Sequence, residues 1–252
     1  MTTSTTALIT GASRGLGRSS AIHLARSGVA VIGTYLSRKE DADSLVAELA
    51  GTGVPVRMLQ LDVGRSEDFG AFADSVRGVL ADLGREHLDH LVHNAGAGVH
   101  APFASTTEEQ FDELFRTHVK APYFLTQALL PLLADGGRIL NVSSGLARFT
   151  GPGYSAYAAA KGAVEVLTRY QAAELGDRQI RVNTLVPGAI ATDFSGGVVR
   201  DVEQVHAAVA GAIALGRVGE ADDIGAAVPA LLSGALGWAN GTRFELSGGQ
   251  NL

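Results

Sequence analysis

The chain has no cysteine in 252 residues. That excludes disulfides, thiolate metal sites and cysteine nucleophiles together, and it suits a reducing compartment. Proline is scarce as well, seven residues against 32 glycines. A glycine content well above the ordinary ~7%, without proline to match, is no low-complexity signature; it points to tight turns and close backbone approaches. Charged residues make up only 18%, below the usual ~25%, which implies much buried surface, subunit contacts included. Lys and Arg number 20 against 26 Asp and Glu, a net charge of −6. With no basic run, nucleic acid and anionic membranes are not expected partners. The longest apolar stretches, such as 128–134, fall far short of the ~18 residues that a membrane span needs. Residues 1–6 carry no basic segment, and 7–10 is too short for a signal core. The expectation is a soluble, cytoplasmic protein.

What the chain does have is rhythm. Apolar runs rich in β-branched residues lie at 7–10, 29–34, 56–61, 88–93, 138–142, 181–186 and 243–246. Most are continuous rather than alternating, as parallel strands covered on both faces should be. Helical patterns fill the gaps: Ser66 precedes Glu67-Asp68, Thr106 stands three before Glu109 at capping-box spacing, and Gly28 suits a left-handed C-terminal cap. Strand-helix alternation predicts an α/β fold, a doubly wound and mostly parallel seven-stranded sheet. No linker, repeat or composition break divides residues 1–252, so a single domain is expected. Only 191–216 breaks the rhythm, with Gly196-Gly197 followed by a helix-like run from 201 to 215. Placed where the strand ends open, it is a candidate substrate lid.

The first strand runs into Thr10-Gly11-Ala12-Ser13-Arg14-Gly15-Leu16-Gly17 and then into a helical pattern. Glycines between a buried strand and a helix let backbone N–H groups close on a pyrophosphate at the helix N-terminus. No Gly-Lys-Ser/Thr follows, so an ATP-type loop is disfavoured.

The spacing Gly11-xxx-Gly15-x-Gly17 resembles the TGxxxGxG turn of the short-chain dehydrogenase/reductases, and the likeness runs through nearly the whole chain. Asp62-Val63 resembles the family's adenine-contacting pair, and His93-Asn94-Ala95-Gly96 its NNAG motif with His93 for the first Asn. Ser144 and Tyr157-xxx-Lys161 match its Ser and YxxxK, and Pro187-Gly188 with Ile190 and Thr192 its nicotinamide-holding segment. Leu215–Gly219, Asp223-Ile224 and Ser247-Gly248-Gly249 follow its usual tail. The resemblance implies a Rossmann-type fold, a dinucleotide held by Gly11, Ser13, Arg14, Gly15, Leu16, Gly17, Ser37, Arg38, Asp62, Val63, Asn94, Ala95, Gly96, Tyr157, Lys161, Pro187, Gly188, Ile190 and Thr192, and a homotetramer paired through the helix patterns 108–133 and 154–175, with a second contact through the last strand, 243–246, and the helix before it.

Carbonyl reduction needs a proton donor tuned toward neutrality. Lys161, four residues beyond Tyr157 on one helix face, is expected to lower the tyrosine pKa, and the Ser144 hydroxyl to bind the substrate oxygen as charge develops. The family has an Asn at the position of His118, where it helps to hold a proton-relaying water. Two readings of His118 stand: a relay that adds pH sensitivity, or a tolerated structural substitute. His87, His90, His93 and His100 form no metal set, because on a strand His90 and His93 point to opposite faces. At the end of strand two Tyr35 replaces the acidic residue typical of NAD binding. With Arg14, Ser37 and Arg38 nearby, NADP(H) is preferred and NAD(H) stays possible. The expected activity is NADPH-dependent reduction of a small ketone or aldehyde, 3-oxoacyl substrates included. The alternatives are an NAD-linked alcohol or sugar dehydrogenase and a non-catalytic dinucleotide-binding regulator.

Overall fold

The computed structural model describes residues 5–252; positions 1–4, on which the expectation of no leader partly rests, lie outside the described residues. Seven strands, β1 (Thr6–Ile9), β2 (Ala30–Tyr35), β3 (Val56–Gln60), β4 (Leu88–His93), β5 (Leu133–Val142), β6 (Arg181–Pro187) and β7 (Arg243–Leu246), build one sheet. Their order is β3-β2-β1-β4-β5-β6-β7, and every neighbouring pair is parallel. The chain winds outward from β1 to β3 and then returns to the other side at β4. Beyond the paired ends of β1 and β4 the connections run to opposite helical layers, and the crevice between such connections is where sheets of this kind bind ligands.

The continuous apolar runs are explained by two cores. Leu8, Ile32, Leu91, Ile139 and Val182 face one helical layer, made of α3 (Phe69–Asp82), α5 (Ala121–Leu129) and the end of α6 (Ser155–Glu174). Ala7, Ile9, Val31, Val92, Leu140 and Leu185 face the other, made of α1 (Gly15–Arg26), α2 (Lys39–Leu49), α9 (Ala221–Gly225) and α10 (Val228–Leu231). Alternate residues of each strand are thus buried on opposite faces, and neither face tolerates a polar period.

The structure differs from the sequence expectation at three points. β5 begins five residues earlier than predicted. Leu133 pairs with Leu88, and a register shift precedes the His90–Arg138 pair, so Gly136 at φ +76° breaks the apolar pattern from which a strand is read. The capping box belongs to Thr107 and Gln110, which exchange bonds of 3.3 and 3.1 Å; the Thr106 hydroxyl instead donates back to the Ala101 and Pro102 carbonyls. The 108–133 helix is also interrupted. α4 (Glu108–Phe115) gives way to a π turn, Arg116–Lys120, before α5. Pro122 has no N–H for the carbonyl four residues back, that of His118, so the ladder widens there. The irregular 191–216 stretch holds α7 (Val198–Asp201) and α8 (Glu203–Gly211). No helix among the described residues is long and apolar enough to cross a membrane.

A polar string runs under the active end of the sheet. Thr168 on α6 accepts from Asn141 (2.9 Å) and Thr184 (3.0 Å) and donates to the Val164 carbonyl, while Asn141 also donates to Gln171. It ties β5 and β6 to α6. Thr168→Val keeps the shape but strands two buried partners, so it should lower unfolding free energy by about 1–3 kcal/mol, read as a reduced urea midpoint at unchanged slope.

Candidate active site

The site begins where β1 turns into α1. Thr10 Oγ1 accepts the backbone N–H groups of Asn94 and Ala95 at 3.0 Å each, and Thr34 Oγ1 accepts that of Gly11 at 3.0 Å. The Asn94 side-chain amide donates to the Thr10 and Gly11 carbonyls at 3.0 and 3.1 Å. Gly11 and Gly15 have φ of +67° and +55°, and a Cβ on Gly17 would strike the Gly11 carbonyl and the Asn94 amide. α1 starts with no side-chain cap on Arg14, so its first-turn N–H groups and dipole are left for an anion. The other expected nucleotide-binding positions lie at or beyond the carboxyl ends of β1, β2, β3, β4 and β6. Ser13 is buried and Leu16 packs on the core. The exposed Asp62 accepts from Gly64 N–H, next to the half-buried Val63. Gly96 abuts the His118 ring, Gly188 N–H binds the Leu246 carbonyl beyond Pro187, Ile190 bridges to Gly219, and Thr192 lies against Gly15. Tyr35 closes β2 with no carboxylate in its place, and Ser37 and Arg38 follow it exposed. Arg38 is 3.7 Å from Asp41, and Arg14 is 3.8 Å from Asp193.

Ser144, Tyr157, Lys161 and His118 converge at the same end of the sheet. α6 delivers Tyr157 and Lys161 from one face, 6% and 5% exposed, and Ser144 stands just beyond β5. The expectation that Lys161 lowers the tyrosine is not met. Burial holds the Tyr157 phenol well above its ordinary pKa, opposed by a hydrogen bond with the Ser144 hydroxyl. Lys161, 5.6 Å from the phenol ring, donates instead to the Val142 carbonyl at 2.7 Å, and burial drops its own pKa to about 7. His118, on the π turn, sets its ring edge-on to Tyr157 at 5.3 Å and 86°. Its Nε2 donates to the Ala97 carbonyl at 2.6 Å, the only role that nitrogen can take toward a carbonyl, and Nδ1 is buried without a partner. Burial, then the Lys161 charge, pushes His118 to about 3. The pH sensitivity considered for it is absent near neutrality: the ring is neutral there, with one lone pair to offer. Among the described residues no group of three His, Asp or Glu side chains could hold a metal.

The sequence reading missed a run of rings. His100 meets Tyr154 edge-on at 5.0 Å, Tyr154 meets Tyr157 at 6.4 Å, and Phe194 lies 5.6 Å from Tyr157 on the other side. The three-residue spacing of Tyr154 and Tyr157 was the available signal; nothing local marks Phe194 or His100.

The fold is shared with known proteins. A family model described as Enoyl-(Acyl carrier protein) reductase matches residues 11–251. The hydroxynaphthalene reductase-like protein Arp2 of Metarhizium majus is 34% identical over 254 residues, 96% of this chain and 93% of its own. Tetrahydroxynaphthalene reductase PfmaG of Pestalotiopsis fici is also 34% identical, over 96% of this chain and 90% of its own. Among solved structures, the promiscuous reductase LugOII, which catalyses keto-reduction at C1 during lugdunomycin biosynthesis, superposes with a TM-score of 0.92 at 35% identity, covering 98% of both chains. The angucycline C-6 ketoreductase LanV with bound NADP gives 0.92 at 32% identity, over 98% of this chain and 95% of its own. The chain belongs to the short-chain dehydrogenase/reductase family. It is an NAD(P)-dependent oxidoreductase acting between C=O and CH–OH groups.

Burial makes the histidines acid-sensitive. His90, His93 and His118 are held at about 4, 3 and 3, each chiefly by burial. An unfolded chain binds protons near pH 6.5 that the folded protein refuses, so stability is full above that pH and falls as pH drops toward 4. Each histidine contributes up to about 1.4 kcal/mol per pH unit. Unfolding midpoints measured from pH 7 to 4 should drop steeply, and His118→Asn should shallow the slope; an unchanged slope in that variant would contradict a buried neutral His118.

Proposed function

We propose that the protein reduces a ketone to an alcohol with NADPH, and that the carbonyl is carried by a planar aromatic or polyketide-derived framework. The observation that carries the reading is the meeting of Ser144, Tyr157 and Lys161 beside an uncapped helix N-terminus. The residues of the turn fit a dinucleotide: beside Gly15 a Cβ would meet nothing nearer than Thr192 at 3.9 Å, so the turn is open on that side, and α1 has N–H groups in need of an acceptor. Arg14, Ser37 and Arg38 would hold a 2′-phosphate, with no carboxylate at Tyr35 to repel it. The substrate class rests on the rings of Tyr154, Phe194 and His100 along the cleft, and on the keto-reductions named for the related LugOII and LanV.

The bound cofactor supplies hydride to the carbonyl carbon. Ser144 donates its hydroxyl hydrogen to the carbonyl oxygen, fixing it within reach of Tyr157. Tyr157, held protonated by burial, transfers its phenolic proton to that oxygen as negative charge grows on it. Lys161 is the cation nearest the phenolate so formed. It stabilises that charge, and its pKa near 7 lets it return a proton between turnovers. His118, able only to accept at Nδ1, offers the relay an acceptor without adding charge. The 191–216 segment closes the cleft, and the whole chain works as one catalytic domain in the cytoplasm. NADPH turnover against aldehydes, 3-oxoacyl thioesters and polycyclic aromatic ketones tests the assignment. Tyr157→Phe should lose ~10²–10⁴-fold in kcat while still enhancing NADPH fluorescence on binding. Wild-type turnover by that variant, or a kcat/KM favouring NADH, would sink the corresponding half of the proposal.

We infer a homotetramer from the same helices. Phe111, Tyr123 and Phe124 on α4 and α5, with Val166 and Tyr170 on α6, are 42–64% exposed, a concentration of large apolar side chains that marks a contact face. Light scattering at micromolar protein should give about four times 26.0 kDa, and Tyr170→Glu should shift it downward; a monomer mass for the native chain refutes the assembly.

A further inference from the structure

The segment following β6 reaches two places that catalysis requires to be open. Asp193 sets its carboxylate 3.8 Å from Arg14 Nη1. It also accepts a hydrogen bond from Arg200, whose remaining donors go to Asp201. The Arg14 and Arg38 charges add to that of Arg200 in holding the Asp193 carboxyl below its usual range. The next residue, Phe194, covers one side of the Tyr157 ring at 5.6 Å. Behind them Ser195, Gly196 and Gly197 run left-handed at φ of 51°, 74° and 77°. The first of these lacks glycine's freedom in that region, and its hydroxyl is buried without a partner. Such a segment is held by its two ends rather than by its own backbone.

We propose that Asp193 and Phe194 form a two-ended stopper: the carboxylate stands in for the 2′-phosphate on Arg14, the ring covers Tyr157, and the arriving phosphate displaces both. This rests on the NADPH reading above and makes Asp193 a specificity-determining residue. A phosphate brings nearly two negative charges and three acceptor oxygens against one carboxylate. Asp193 is not stranded when it leaves, because Arg200 keeps it. NADH carries no group that competes for Arg14, so it lifts the stopper poorly. The ring and the carboxylate are adjacent in sequence, so Tyr157 is uncovered only after the cofactor is seated, and the carbonyl substrate binds second.

The test uses the full chain and the two adenosine halves of the cofactors, 2′,5′-ADP and 5′-AMP, with binding measured by calorimetry and the 193–201 amides followed by hydrogen exchange. The wild type should prefer 2′,5′-ADP, and that ligand alone should speed exchange across 193–201. Asp193→Asn should bind 2′,5′-ADP about two- to fivefold more tightly, the range expected of an exposed ion pair, with 5′-AMP unchanged. Asp201→Asn, which removes the same charge without freeing Arg14, should change affinity less. If 2′,5′-ADP is preferred but Asp193→Asn binds it no better, the stopper is wrong and the NADPH reading survives. If the wild type does not distinguish the two ligands, both fall.

Discussion

Everything at the active end depends on how closely β1 and β4 finish beside each other. One hydroxyl, Thr10 Oγ1, takes two N–H groups from the start of the loop after β4, and one amide, that of Asn94, takes two carbonyls from the turn after β1. Four hydrogen bonds thereby fix the two lips of the crevice to one another. The helix that offers its N-terminus to a nucleotide starts from one lip. The loop whose Ala97 carbonyl anchors His118 starts from the other. A shift of either lip moves the start of α1 and the seat of His118 together.

That arrangement separates what could be read in the sequence from what could not. The glycine turn, Ser144 and the Tyr157/Lys161 pair were legible because each is a fixed spacing on a regular element. Asn94 was assigned to the cofactor, yet its side chain is engaged in the turn, a contact between residues 83 and 84 positions apart that no local pattern reports. The sign of the Tyr157 shift was also beyond reach. Spacing places a lysine near a phenol, but only the fold shows that both are buried and that the lysine points at a carbonyl. Phe194 and Asp193 were invisible for another reason: irregular backbone has no period, so position in the chain carries no information about direction in space.

Burial runs through the chemistry as a common cause. It keeps the Tyr157 phenol protonated, brings Lys161 close to neutral pH and silences His118 beside them. The cleft is tuned by exclusion of water more than by any carboxylate, since no acidic side chain perturbs these three groups. The chain can therefore place a titrating ammonium within 5.6 Å of a phenol ring without a counter-ion that would lock either of them.

The open sheet has two bare margins, β3 and β7, and each presents an unpaired ladder of backbone donors and acceptors. Both strands are short, five and four residues. Arg57 stands on one, and Arg243 and Glu245 on the other, paired with each other and with Glu165 and Arg148. Short strands and charged side chains at a sheet edge discourage a second copy from adding its own strand. Stacking of copies edge to edge into a continuous ribbon is thereby disfavoured, and growth without limit with it.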